Sequence, residues 1–445
     1  MPRRPYRVVF ETYDDDSSDK HLSRQEIVGD ILHKPTNCLD FSMGFDNQIK
    51  LIQGVQDNII LEKVKLVNED KEFCPKCEKQ RVLNKYGSHK SWFHDVLTDH
   101  EIEIQRLKCR KCKYETPSTV TKLIDDKLSG DLKKMQATLG ATHSYRESEE
   151  IFELFSCKER QINNHDRIKS VVESVGEAIE RINEEEKAII TASEANELIL
   201  NVDGGHVKTT EDQRSIEAMV SVVYRPESIK SNDKDTRNHL TSKHCAASTR
   251  NDNQAHIMSS TVIAALKQGL TSNTHVTALC DGAENCWNVA KAIEPLCGSI
   301  TYILDWFHIA MKFENIALPK ELKEELMKVK WYLWRGGVED AILRFAEILA
   351  KTKEEKNYDK IKKLSQYVEN NRDRLVDYSK REKDGLVFTS NLAESTVESL
   401  INQRCKGQQH MRWSREGLNP VLQLRASIHS NDWSNKWRTA VLNAA

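Results

Sequence analysis

The sequence has no apolar run approaching the roughly 18 residues that a membrane span requires. It also has no internal repeat and no long low-complexity tract, so a solenoid of stacked repeats is excluded. The opening stretch MPRRPYRVVFETYDDDSSD lacks the apolar centre of a secretory signal, and the expected location is cytoplasmic. An excess of charge of either sign is missing as well. With a net charge of −2, the molecule as a whole is not a basic glove for nucleic acid, and any DNA contact falls to local patches. What is abundant is balanced charge, 30% of residues, which marks a soluble chain without a membrane partner. Its 445 residues leave room for roughly two to four domains and at least one large core.

Eleven cysteines without a secretory signal point to thiols that bind metal or sit in cores. Residues 1–70 end in IKLIQGVQDNIILEKVKLV, apolar at helical spacing, and form an N-terminal helical segment to which no role attaches. Next, FCPKCEKQ and RLKCRKCKYETP place Cys74 and Cys77, then Cys109 and Cys112, in two CxxC pairs. Two such knuckles beside strand-like HEIEIQRLKC suit a tetrahedral thiolate site for Zn²⁺, a zinc ribbon over 71–118. A redox CxxC is the competing reading. Lys and Arg outnumber Asp and Glu by 11 to 7 over 71–115, a mildly basic face fit for contact with a DNA backbone.

Residues 125–172 read as three short helices, the third presenting Lys158, Arg160, Gln161, Asn163, Asn164, His165 and Arg167. Cationic and amide side chains on a third helix fit a helix-turn-helix DNA-binding module, with Lys158 and Arg160 as DNA contacts. A plain helical connector has the same pattern. A charged linker helix over 173–195 follows.

From 196 strands alternate with helices. LILNVDGGHV is a short, β-branched-rich run closed by a Gly pair, with Leu198, Leu200 and Val202 on one face and Ile199, Asn201 and Asp203 on the other. Asp-Gly is ordinarily a turn signal. SIEAMVSVVY is another strand, QAHIMSSTVIAALKQGL a helix, and HVTALCDGAENCW and ITYILDWFHIAMKF each a strand entering a helix. Residues 320–385 are a highly charged helical stretch. NLAESTVESLINQRCKGQQHMRW starts at an Asn cap and runs as a helix to about Arg404.

Asp203 and Asp281 end two strands, each followed by Gly, and Glu394 sits one turn into a late helix. Acids arranged so can gather round hard divalent ions such as Mg²⁺ or Mn²⁺, which prefer oxygen ligands. Two ions roughly 4 Å apart would activate an attacking oxygen and stabilise a leaving one.

The succession LNVDGGHV, ALCDGAENCW, LDWFHIAMK and NLAESTVESLINQRCKGQQHMRWSREG resembles insertion-sequence transposases of the DDE class, related to Mutator-like and hAT-like elements. The resemblance covers about 195–430. It implies an α/β RNase-H-like catalytic core, its first part at 196–319 and its last part, with C-terminal helices, at 386–445. It makes Asp203, Asp281 and Glu394 the catalytic, Mg²⁺-binding triad, with Glu398 one turn on as the rival third acid. DWFH supplies Asp305 and His308, one turn apart, as residues that orient the site or position DNA; a buried, satisfied His308 is the plainer reading. Between 399 and 415, Arg404, Lys406, Arg412 and Arg415 stand without an acid. With Gly407, His410 and Trp413 interleaved, the segment suits a single-stranded end stacked on Trp413, or else a solvated loop with a core Trp.

The implied function is a transposase that binds terminal inverted repeats and target DNA, acts as a homo-oligomer on DNA, and catalyses metal-dependent cleavage and strand transfer. A domesticated DNA-binding regulator and an RNase-H-like nuclease are the alternatives.

Overall fold

The computed structural model describes all residues except 1–3, 6, 15–16, 28–30, 33–41, 79, 125, 156–160, 187–191, 232–237, 407–410 and 445, and only the backbone of 4–5, 12–14, 17–27 and 31–32. The chain divides into two compact units, residues 1–171 and 172–444.

In the first unit, helix α1 spans Phe45–Glu69, as its apolar spacing predicts, but the expected helical segment is not helical throughout, since Val8–Asp14 and Ser17–Ile27 pair as antiparallel strands before it. Ile60, Val64 and Val67 recur at i, i+4 and i+7 on one face and pack against Ile102, Ile104 and Val120. Ile102 and Ile104 come from a three-stranded antiparallel sheet of β1 (Asn84–His94), β2 (Asp99–Lys108) and β3 (Glu115–Pro117), in that order. Their alternation is visible in β2, where Ile102 and Ile104 are buried while Glu101 and Glu103 are exposed.

Helices α2 (Gly130–Thr142) and α3 (Tyr145–Phe155) follow. The expected third helix is displaced. It begins at His165, because the Asn164 side chain accepts the Arg167 amide at 2.8 Å and caps it. Gln161, Asn163 and Asn164 therefore precede the helix, and Lys158 and Arg160 lie outside the described residues. Once begun, α4 (His165–Glu186) runs on through the first part of the stretch expected to be a separate linker.

The second unit is mixed α/β. Its sheet comprises β4 (Glu197–Lys208), β5 (Ser215–Tyr224), β6 (His244–Ser248), β7 (His275–Cys280) and β8 (Ser299–Leu304), in the order β6-β5-β4-β7-β8. The first three strands form an antiparallel meander; β7 and β8 run parallel to β4. Helix α5 (Ala255–Lys267) lies on β5 and β6, and α6 (Glu284–Lys291) lies against β4. Every residue from Leu198 to Val202 is consequently buried, whichever face it takes, as in a strand covered on both sides. The Gly pair does not end β4 as the sequence suggests, since β5 pairs with it as far as Lys208.

After β8 come α7 (Trp306–Asn315) and the helical insertion, α8 (Lys320–Trp334), α9 (Val338–Lys351), α10 (Glu355–Asn370) and α11 (Tyr378–Lys383). An aromatic cluster of Trp306, Trp334, Tyr378 and Phe388 closes the insertion on itself at its root. Helix α12 (Asn391–Val397) continues through a π turn at Glu398–Asn402 to Cys405, and α13 (Arg415–His429) and α14 (Trp433–Leu442) complete the unit. No helix among the described residues is long and apolar enough to cross a membrane.

Candidate functional site

Strand β7 stops at Cys280, paired with Val202, so Asp281 follows the end of β7 beside the point where Asp203 continues along β4. At Gly282 the chain turns with φ +99°, and a Cβ there would stand 2.7 Å from the Tyr367 ring. Tyr367, on α10, donates its hydroxyl proton to the Asp281 carbonyl at 2.7 Å, so the insertion is anchored on this strand end. Gly205 is required for a different reason. A Cβ on it would meet Ile401 at 3.0 Å and the Lys406 amine at 3.3 Å, so the bare backbone admits the π turn against β4.

Asp305 caps α7 by accepting the Phe307 amide at 3.1 Å, and its second oxygen lies 3.6 Å from His308 Nε2 one turn on. It also accepts the Ser390 amide at 2.9 Å and the Ser390 hydroxyl. The first residue before α12 is thus Ser390 rather than the expected Asn391, and its hydroxyl serves Asp305 instead of its own helix. One buried carboxylate fixes the starts of both helices, and with them His308 and Glu394. Fully buried, Asp305 orients its neighbours rather than touching DNA itself.

Ligand atoms of Asp203, His308 and Glu394 lie within 4.8 Å of one another. Burial raises the Asp203 carboxyl above its usual range, with His308 and the Gly204 amide opposing and Asp281 and Asp305 adding. Burial likewise raises Glu394, and the Asp203 charge adds to it. Two ionised carboxylates at such a separation repel by roughly 3–4 kcal/mol at an effective dielectric of about 20. A divalent cation turns that repulsion into attraction, and Asp203, Glu394 and His308 could hold one.

The expected gathering of three acids differs in one respect. His308 takes the third place in the close group, while the Asp281 carboxylate accepts the Ala283 amide at 2.9 Å on the neighbouring strand end. Glu398 stands outside the group, exposed and bonded to Asn402, so geometry separates the rival acids in favour of Glu394.

The basic segment divides. Arg404 is buried with its guanidinium 4.9 Å over the Trp413 ring, and Trp413 is itself buried. The Trp413 backbone pairs with the end of β4, its amide donating to Lys208 at 3.0 Å and its carbonyl accepting from Thr210 at 3.1 Å. The stacking platform expected for a DNA base is therefore occupied by the protein's own arginine. Arg415 is bound to the Thr249 carbonyl and to Glu211. Lys406 and Arg412 are exposed and make no ion pair among the described residues. Sequence reasoning missed Tyr367, Ser390 and Arg425. The last donates from α13 to the Leu400 carbonyl at 2.8 Å and fixes the π turn, and burial holds its guanidinium down at about 10. A buried arginine between apolar helix residues was its only signal.

In the first unit the four thiols of Cys74, Cys77, Cys109 and Cys112 lie within 4.8 Å of one another. Cys74 Sγ is 3.4 Å from Cys112 Sγ, and Cys77 Sγ is 3.9 Å from Cys109 Sγ. The Cys112 and Lys111 amides point at Cys109 and hold its thiol down at about 6. Four convergent thiols, one predisposed to ionise, could hold Zn²⁺ as a closed structural site.

No curated protein matches the chain. A family description, Uncharacterised protein family (UPF0236), matches residues 126–439, a stretch that holds Asp203, Asp281, His308 and Glu394 but not the four cysteines. That stretch is well over half of the 445 residues, and the chain belongs to this family.

Proposed function

We propose that the chain is a DDE-type DNA transposase with an RNase-H-like core, acting on terminal inverted repeats through metal-dependent phosphodiester cleavage and strand transfer. The observation that carries this reading is the close group of Asp203, His308 and Glu394, with Asp281 following the end of the strand beside Asp203 and Glu394 coming from a helix beyond a long insertion. The sheet supports it too: three antiparallel strands followed by two parallel to the first is the arrangement an RNase-H-like core is expected to have.

Mg²⁺ or Mn²⁺, when bound, supplies Lewis-acid polarisation of the phosphate and a more acidic attacking water. The chain's own residues do the rest. Asp203 and Glu394 provide anionic oxygens, and Asp281 extends that surface along the strand ends. His308 completes the group beside Asp305, and its ring can bind or position a water between the acids. Lys406, over Gly205 and exposed, supplies a positive charge to a phosphate approaching Asp203. The reading needs no covalent protein–DNA intermediate: water attacks first, and the released 3′-hydroxyl attacks next. The four-cysteine knuckle and the helices of the first unit are assigned to DNA binding.

The test is incubation of the protein with Mg²⁺ and the DNA flanking its own reading frame, followed by strand-resolved mapping. Cleavage at defined end positions with joining to a second DNA supports the reading. Non-specific degradation would favour a nuclease, and sequence-specific binding without cleavage would favour a regulator.

A further inference from the structure

Beyond Val202, β4 outruns β7 and continues with β5 as a two-stranded ribbon as far as Lys208 and Ser215. The far end of this hairpin borders a cleft lined by His206, Lys208, Arg214 and Arg412, with Glu211 and Asp212 among them. The charges do not cancel. Glu211 is engaged by Arg415 and by Gln213. Lys208, Arg214 and Arg412 are exposed and, among the described residues, have no ion-pair partner. Three unpaired cations thus face one carboxylate, that of Asp212. Arg412 reaches the cleft because the neighbouring Trp413 is tied to the β4 end and to Arg404.

We propose that this cleft is a phosphate-backbone site for the DNA strand flanking the cleaved bond; the inference rests on the transposase reading. Five residue steps along the strand lead from Asp203 to Lys208, roughly 16 Å at about 3.3 Å each. At about 3.4 Å per nucleotide along one strand, the cleft engages phosphates about five nucleotides from the scissile bond. Alternation turns Asp203 to one face and His206 and Lys208 to the other. The DNA strand therefore passes from one face of the β4–β5 ribbon to the other, over a stretch where a two-stranded ribbon twists most strongly. No Phe, Tyr or Trp is among the described residues that line the cleft, and the Gln213 amide there is bonded to Glu211, so the cleft contributes affinity through its cations with little sequence preference.

Binding of duplexes taken from the DNA flanking the reading frame, and of a scrambled duplex, is measured against salt for three proteins. In the triple variant Lys208→Gln, Arg214→Gln, Arg412→Gln, the slope of log affinity against log salt should fall by about 2.7, and affinity at low salt roughly tenfold or more, on both duplexes. Asp212→Asn should tighten both. Melting temperatures should not move, since all four side chains are exposed. Unchanged slope and affinity in the triple variant, with wild-type protein still binding and cleaving flanking DNA, overturns the cleft and leaves the active site standing. Wild-type protein that neither binds nor cleaves any of these duplexes overturns the transposase reading and the cleft with it.

Discussion

Asp305 and Ser390 stand 85 positions apart in the chain, yet the Ser390 amide donates to Asp305 Oδ1 at 2.9 Å and its hydroxyl to Oδ2. The pair closes the base of the insertion: one helix leaves at Trp306 and the next arrives at Asn391, and their starts share this carboxylate. Hydrogen bonds to a buried ionised group are worth roughly 1.5–3 kcal/mol each. Asp305→Asn should therefore lower the melting temperature clearly, and Ser390→Ala should do so less because the amide contact survives. Both should also weaken Mg²⁺ or Mn²⁺ affinity, measured by calorimetry on folded protein, because His308 and Glu394 lose their common anchor. Unchanged ion affinity in a folded Asp305→Asn protein would reduce the residue to a helix cap.

The four-thiol site makes a prediction about metal removal. Protein purified without chelator should carry one Zn²⁺, and chelation should loosen residues around 70–118 in hydrogen exchange while the second unit keeps its protection. Protons compete with the ion for the four thiolates, so zinc should be retained at neutral pH and released on acidification. Elemental analysis that finds no zinc at neutral pH would remove the assignment.

Trp413 and Arg412, adjacent in sequence, should behave oppositely. Trp413→Ala removes a buried ring together with the surface on which Arg404 lies, at a cost of about 3–5 kcal/mol. Arg412→Ala should leave the melting temperature within experimental scatter and weaken DNA binding. Thermal unfolding beside a binding titration tests both.

Much of the second unit was legible because its signals are local. Strand SIEAMVSVVY was bounded correctly from composition, and the apolar run before Asp281 does end at the Asp-Gly break, but that this strand lies beside Asp203 is decided by the sheet register. Less legible was anything decided by tertiary packing. Continuous burial of Leu198–Val202 depends on helices covering both faces, and the extension of β4 past its glycines depends on β5. The basic segment misled for the same reason. A sequence shows four cations and a Trp, but not that Arg404 lies against Trp413 inside the fold. His308 entered as an orienting residue, and only the Asp305 cap and the return of the chain at Ser390 bring its ring among the acids.

The raised carboxyls of Asp203 and Glu394 fix the sign of a pH effect. A folded-state pKa above the unfolded value of about 4 favours the protonated folded form. The corresponding stability is fully present below about pH 4 and is lost as pH rises through the raised values. Metal-free protein carries this penalty at neutral pH, and a bound divalent ion relieves it. The Mg²⁺-induced rise in melting temperature should be largest at neutral pH and should vanish on acidification towards about 4. Taking the difference with and without Mg²⁺ isolates these groups from acids elsewhere, such as Asp432, which Lys267 and His244 depress. A pH-independent increment would place the ion elsewhere.

Single isosteric changes at the acids discriminate most sharply. Asp203→Asn and Glu394→Gln each keep shape and remove one of two charges that burial and mutual repulsion disfavour. In metal-free protein their melting temperatures should be unchanged or higher, the reverse of what loss of a structural carboxylate causes. Strand cleavage should nevertheless fall by orders of magnitude in each, because residues that act as one unit do not contribute additively. Asp281→Asn should lose cleavage equally although its carboxylate rests on the Ala283 amide, since its place beside Asp203 is set by the strand register. Glu398→Gln, at an exposed position bonded to Asn402, should keep most activity. Binding of flanking DNA should survive in all four, because neither the four-cysteine knuckle nor the hairpin cleft includes these residues. Substantial cleavage retained by Asp203→Asn would mean that the acids at the strand ends are not the catalytic centre, and that Asp203 is an ordinary residue of a Gly-flanked strand.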